Sequence, residues 1–274
     1  NPVLLSAAVI GGVNGIGYIY TAATHSHKVT DACGTGAFVA SALATSFAFV
    51  RNHRLDFPNK PLPIRPLLLG GAVVLWGSRL GMFLFQRIMD SPKDMRLQEF
   101  FPKEGELPIR LAGFWSVQAM WGFICMLPVS AACNAAVQTG KPLGLRSGLA
   151  LALFLAGFLC EAVADHQKSQ FKKSPNSWKW CDEGLWNYSR HPNYFGELVV
   201  WWSLFAAAYP TVPLWTMASP LFSSLLILGV SGVPILEKKY DDKYGGIADY
   251  QRYKQSTSLL IPMPKFDSDT KKEL

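Results

Sequence analysis

A chain of 274 residues, half of them hydrophobic and only 16% charged, carries fewer charges than the roughly 25% of a soluble globular protein, which excludes an ordinary water-soluble domain. Its net charge of +7 comes without a basic groove interleaved with stacking aromatics, so nucleic acid is excluded as a partner. The excess of Lys and Arg reads instead as membrane orientation, with attraction for an anionic ligand.

Seven apolar segments follow one another along the chain: 2–22, 32–50, 66–85, 111–133, 147–164, 194–209 and 212–236. Each is close to the roughly 20 residues of a spanning helix, which predicts an all-α, polytopic transmembrane bundle of about seven spans. Pro210 and Pro213 leave only a tight turn between the last two, so that pair is expected either as two spans or as a helical hairpin that does not fully cross. Seven spans place segments 23–32, 87–110, 165–193 and 235–274 on one face, with nineteen of the 26 Lys and Arg. The other face holds six, four of them in the cluster Arg51, Arg54, Lys60 and Arg65.

Residues 1–65 form two Ala- and Gly-rich helices expected to serve as scaffold, packing through Gly11, Gly12, Gly15 and Gly17. Residues 66–264 carry charged and aromatic residues at span ends and are expected to build the site. Residues 265–274 are a charged tail. Five cysteines, mostly inside apolar spans and without paired ligand spacing, read as core residues, and no metal site is expected.

Three polar segments fall on the Lys- and Arg-rich face. The first, 184–197, runs Gly-Leu-Trp-Asn-Tyr-Ser-Arg-His-Pro-Asn-Tyr-Phe-Gly-Glu. Pro192 suits the first turn of a helix, which puts Arg190 and His191 at its entrance, where free N–H groups and the guanidinium favour a phosphate. Asn193 and Glu197 then share a face beside Tyr194 and are spaced to hydrogen-bond an amide or ribose. An aromatic belt with interfacial Arg and His fits the same residues. In the second segment Glu161, Asp165, Lys168 and Lys172 recur at helical spacing, two acids followed by two bases. Such a stripe suits ribose and phosphate, or a solvated helix end with internal ion pairs; Glu161 lies one turn deeper, where an acid needs a partner or a task. The third segment holds Glu237, Tyr240, Tyr250 and Tyr253 and ends in Leu260-Ile261-Pro262, residues that also suit membrane-surface anchors.

These residues, together with Leu75-Trp76-Gly77-Ser78-Arg79-Leu80, Arg87, Asp94-Met95-Arg96, Gln167 and Phe171, resemble the steroid 5-alpha-reductase-like membrane proteins over roughly residues 70–264. The likeness is especially to an uncharacterised branch with a similar Trp-Asn-Tyr-Ser-Arg-His-Pro-Asn-Tyr-Phe-Gly-Glu signature. The resemblance implies a helical reductase that binds NADPH between its last spans and reduces a carbon–carbon double bond in a lipid, sterol or other hydrophobic small molecule. It places cofactor contacts at Asp165, Lys172, Arg190, Asn193, Glu197 and Tyr250, to which the helix-entrance reading adds His191 and Tyr194. Hydride addition to an enone puts negative charge on the carbonyl oxygen. Steroid reductases resemble one another in meeting that charge with an acid–tyrosine pair, and the matching stretch here offers Trp76 and Arg79 but no tyrosine. Arg79 is the candidate cation and Glu161 the candidate proton donor; an intramembrane ion pair between the two is the alternative.

Two other functions share these features. Isoprenylcysteine and phospholipid methyltransferases are similar in the Arg-His-Pro-x-Tyr-x-Gly element and in the acidic, tyrosine-rich C-terminal segment, which would imply S-adenosylmethionine. A structural subunit of a larger membrane assembly would keep the fold and find partners among other membrane subunits as well as lipid. Lys271 and Lys272 near the end fit a retrieval signal of the endoplasmic reticulum, and the opening at Asn1 fits equally a protein imported into a mitochondrial or plastid membrane.

Overall fold

The structure, a computed structural model, describes residues 1–26, 28–90, 109–134 and 142–265; Asp94, Met95, Arg96 and the tail from 266 onward lie outside them. The described residues form helices and no strand. Five long helices come first: α1 (Pro2–Thr24), α2 (Thr30–Asp56), α3 (Ile64–Asp90), α4 (Ile109–Ala132) and α5 (Leu145–Lys173). A single 3-10 turn, Gly184–Asn187, precedes α6 (Pro192–Ala208). Further 3-10 turns at Tyr209–Thr211 and Leu214–Met217 lead into α7 (Ala218–Leu225), a π turn at Leu226–Val230, α8 (Val233–Tyr244) and α9 (Ala248–Ser256).

Among the described residues six helices, rather than the seven expected, are long and apolar enough to cross a membrane: α1 to α5 and the composite Leu214–Tyr244. The sixth expected span is the 17-residue α6. At 1.5 Å per residue it reaches about 25 Å, short of a hydrocarbon core of about 30 Å. It ends where Tyr209–Thr211 tightens into a 3-10 turn around Pro210, because proline supplies no N–H to continue the ladder. Arg190, just before α6, nevertheless bonds Glu237 on α8, so the intervening chain goes out and returns to the face it left.

The chain divides into two compact units. The first, Asn1–Ala150 with Leu204–Phe222, takes in α3 and α4 besides the two helices expected as scaffold. Here α2 is central and packs against α1, α3 and α4. Phe38 is wholly buried, edge-on to Trp76 at 5.3 Å and to Trp121 at 4.9 Å. Polar clasps tie the helices together: Ser6 to Ser41 at 2.8 Å, and Gln118 Nε2 donating to Asn14 Oδ1 at 2.9 Å. In an apolar surround such bonds contribute about 0.6–2 kcal/mol each. Asp31 and Arg87 pair at 3.0 Å between the start of α2 and the last turn of α3. Of the glycines expected at the packing face, Gly17 lies against the Trp115 ring, whereas a Cβ added at Gly11, Gly12 or Gly15 would point into open space.

The second unit, Leu151–Ser203 with Ser223–Leu274, contains most of α5 and α6 and all of α8 and α9. Gly157 and Gly196 let α5 and α6 touch through their backbones: a Cβ on Gly196 would sit 2.6 Å from both Glu161 N and Gly157 O. The π turn interrupts the last long helix, and Gly232, packed on the Ile227 carbonyl, and Pro234 start α8 afresh. Leu198, Ile227 and Val233 form the core around that joint, with Tyr194 and Leu260 packed on it.

Gly196→Ala is therefore expected to force the two helices apart and lower stability by about 1–3 kcal/mol. A fall in the thermal midpoint of the purified protein checks this; a midpoint matching wild type would show that the contact is slack.

Candidate functional site

Where α5 leaves its apolar run, its last turns hold the loop that precedes α6. Gln167 Oε1 accepts from Leu185 N at 2.9 Å, and Trp186 Nε1 donates to the Ala164 carbonyl at 2.9 Å. Gly184 adopts φ 59°, and a Cβ there would fall 2.3 Å from the Gln167 amide, so the turn accepts only glycine. Ala164, Phe171, Cys181 and Trp186 bury this junction.

The C-terminal segment then runs beside the loop. Ser189 and Ser258 form an isolated parallel bridge, with Arg190 N donating to Ser258 O at 2.8 Å and Met263 N to Tyr188 O at 3.1 Å. Ser189 Oγ donates to Leu260 O at 2.7 Å, and Tyr253 OH to Trp186 O at 2.8 Å. Three segments distant in sequence are thereby joined in one unit.

At the junction Glu237 of α8 receives Arg190 Nη1 on one carboxylate oxygen and lies 2.8 Å from His191 Nε2 through the other. Lys254 Nζ approaches the same carboxylate at 3.9 Å and closes on Asp241 at 2.6 Å; Tyr250 OH donates to Asp241 at 3.2 Å. A carboxylate only accepts, so His191 carries its proton on Nε2. Its Nδ1 is buried with no partner among the described residues, as are Arg190 Nε and Trp180 Nε1. Burial holds the His191 imidazole below its ordinary value of 6.5, against the opposing pull of Glu237. Burial also raises the Tyr250, Tyr253 and Cys181 values, with the charge of Asp241 adding to the rise at Tyr250. These three groups are therefore neutral at pH 7.

Between these elements lies a small, partly open cleft lined by Trp180, Trp186, Arg190, Glu237, Tyr240 and Tyr250, with Cys181 and Tyr253 completing the wall. Lys168 Nζ stands 4.0 Å over the Trp186 ring and 5.5 Å from that of Tyr240. Aromatic faces, a guanidinium and donors without acceptors suit a ligand that is partly planar and partly anionic.

The residues singled out from the sequence fall as follows. Arg190 and His191 meet at Glu237, and Tyr250 shares the cleft with Arg190. Asp165 is buried and accepts from Asn193 Nδ2 at 3.2 Å. Tyr194 stacks on His191 with centroids 5.7 Å apart, and Glu197 is half-buried on α6. Lys172 is exposed in the last turn of α5. Glu161, 3% exposed, lies one turn deeper than Asp165, under Gly196. Arg79 belongs to the first unit, one turn along α3 from the wholly buried Trp76. The sequence reading passed over Trp180, and it placed Glu237, Lys168, Trp186, Tyr240 and Tyr253 in the three polar segments without naming them as catalytic or cofactor residues. The available signal was the helical repeat Glu237, Tyr240, Asp241, Tyr244, which puts acid and aromatic residues on one stripe of α8.

The six apolar helices among the described residues define an integral, multi-pass membrane protein, and its second unit carries a candidate ligand cleft. Residues 17–257 match a family described as a protein of unknown function, DUF1295, and the chain belongs to that family. No curated protein and no solved structure matches it.

Because the folded protein holds His191 below its ordinary value, protons bind the unfolded chain more readily. Stability is then full above about pH 6.5 and is lost as pH falls toward the lowered folded value. The thermal midpoint of wild type should drop between about pH 7 and pH 5, and His191→Asn should flatten that slope. Parallel pH profiles for the two proteins would remove His191 as the source.

Proposed function

We propose that this chain is a membrane reductase that uses NADPH to reduce a carbon–carbon double bond in a lipid or sterol-like substrate. The observation that carries the reading is the joining of the Asp165–Asn193 pair and the Arg190–His191–Glu237 cluster at one face of a multi-pass membrane protein. Its support is the sequence resemblance to steroid 5-alpha-reductase-like proteins, within a family whose own function is unknown. The unpartnered Arg190 Nε, the aromatic walls and the excess of cations fit a phosphorylated nucleotide.

On this reading Arg190 and Lys172 hold phosphate, and Glu237 fixes the Arg190 guanidinium. His191, stacked on Tyr194, lends its buried Nδ1 to a cofactor donor. Asp165, Asn193 and Glu197 hydrogen-bond ribose and amide groups, and Tyr250 closes the cleft. NADPH, when bound, supplies the hydride. The chain supplies the proton: Glu161, buried in the apolar part of α5, donates it to the double bond being reduced. Substrate enters from the lipid, which the exposed Leu155, Leu159 and Val163 of α5 would face.

Saturating NADPH should raise the thermal midpoint of the detergent-solubilised chain by about 5 °C, with S-adenosylmethionine giving no shift. The reverse result would make the protein a methyltransferase, and no shift with either, together with co-purifying membrane subunits, would make it a structural subunit. In an active preparation Glu161→Gln should lower turnover about a hundredfold with NADPH affinity unchanged. Undiminished turnover in that variant removes Glu161 from the chemistry.

A further inference from the structure

The loop between α2 and α3 breaks the pattern of charge on which the orientation of the chain rests. Arg51, Arg54, Lys60 and Arg65 fall on the face otherwise poor in Lys and Arg, and Asp56 is the one acid between positions 51 and 65. Cations placed there oppose the orientation that the other loops favour, which gives them a task beyond topology. Within the first unit the structure gathers these charges. The buried Arg65 donates through Nη2 to the Pro142 carbonyl at 2.7 Å and ties the loop to the chain that leads into α5. There Arg146 lies 4.6 Å over the Tyr209 ring, and in the loop itself Lys60 Nζ stands 5.2 Å from the Phe57 ring. Residues 142–150 and 204–222, parts of the same unit, contain no acid.

The outer surface of α2 selects the kind of anion. Leu43, Phe47, Arg51 and Arg54 recur at i, i+4, i+8 and i+11, which is one stripe of the helix. Leu43 is 56% and Phe47 71% exposed; both arginines are exposed too, and neither has a hydrogen bond or ion pair among the described residues. From Leu43 to Arg54 the stripe rises about 16 Å at 1.5 Å per residue, close to half of an apolar layer of about 30 Å. It therefore has the length and the polarity of one phospholipid in one leaflet, apolar for two turns and then cationic. A soluble phosphate would use the guanidiniums alone, and an acidic protein would leave Leu43 and Phe47 uncovered. A lipid uses the whole stripe, with the exposed Leu55 and Ile64 adding apolar surface beside the arginines. We propose that this stripe binds an anionic phospholipid, its phosphate held by Arg51 and Arg54 with Lys60 at the rim, and one acyl chain lying along Phe47 and Leu43. A zwitterionic lipid fills the same apolar surface but brings a cation of its own toward the guanidiniums, so the site selects for net negative charge. The site is separate from the reaction proposed above, because α2 carries none of the residues assigned to cofactor or proton.

The test uses the full chain in a neutral detergent, titrated with dioleoyl phosphatidylglycerol or dioleoyl phosphatidylcholine and read by native mass spectrometry. Wild type should bind phosphatidylglycerol at least about tenfold more tightly than phosphatidylcholine. Arg51→Gln combined with Arg54→Gln should weaken phosphatidylglycerol about tenfold and leave both the phosphatidylcholine affinity and the thermal midpoint in lipid-free detergent unchanged. Lys238→Gln combined with Lys239→Gln removes the same charge from exposed positions of α8 and should keep the preference intact. Arg51→Lys combined with Arg54→Lys, which retains the charge, should also keep most of it. Equal affinity of wild type for the two lipids overturns the proposal, and so does an undiminished preference in the glutamine variant of α2. An equal loss in the α8 variant overturns it in favour of unspecific attraction by net charge. Displacement of phosphatidylglycerol by glycerol 3-phosphate at comparable concentration overturns it in favour of a soluble phosphate anion.

Discussion

The Glu237 carboxylate is the point on which the second unit turns. It receives a guanidinium from the loop before α6 and an imidazole from the residue that follows, while an ammonium from α9 stands 3.9 Å away. Removing one partner from so enclosed a cluster leaves a charge without compensation, which costs far more than an exposed pair is worth. The cluster therefore fixes three backbone segments at once, and the cleft exists because they are fixed. The Ser189–Ser258 bridge and the Tyr253–Trp186 bond add direction to that junction.

Charge density explains why polar chemistry sits at this end of the helices. An ionisable group in the apolar core carries a penalty of several kcal/mol unless it has a partner, so the stripe Glu161, Asp165, Lys168 becomes more exposed toward the membrane surface. Asp165 meets that requirement through Asn193, and Lys168 meets it by lying against aromatic faces. The first unit joins its helices chiefly through Ser, Asn and Gln clasps and through aromatic edges, with the buried Arg65 donating to the Pro142 carbonyl.

Hydropathy made the all-helical membrane fold legible, because a run of apolar residues long enough to span has few other uses. The miscount concerned α6, where apolar character continues through Tyr209 but the backbone does not, since Pro210 ends the helix. Local spacing likewise exposed the polar stripe of α5 and the entrance of α6. The cleft itself was hidden for a physical reason. Trp180 and Tyr253 are unremarkable interfacial residues one at a time, and only the return of the C-terminal segment along residues 188–190 sets their rings together. Glu237 was visible as a charge at a helix end, but which residues it would hold depended on the new direction that α8 takes after the π turn.

The length of α6 bears on more than the count of spans. A helix of 17 residues ending in a tight turn matches an apolar layer of about 25 Å. Bilayers differ, from about 27 Å in the endoplasmic reticulum to about 32–33 Å in sterol-rich plasma membrane, and each ångström of mismatch has to be absorbed by lipid deformation. In a thick bilayer the strain would concentrate at this hairpin, drawing the membrane surface inward beside the cleft. Lipid thickness thus becomes a physical variable of the site, acting through the far end of the helix whose first turns carry Asn193 and Glu197.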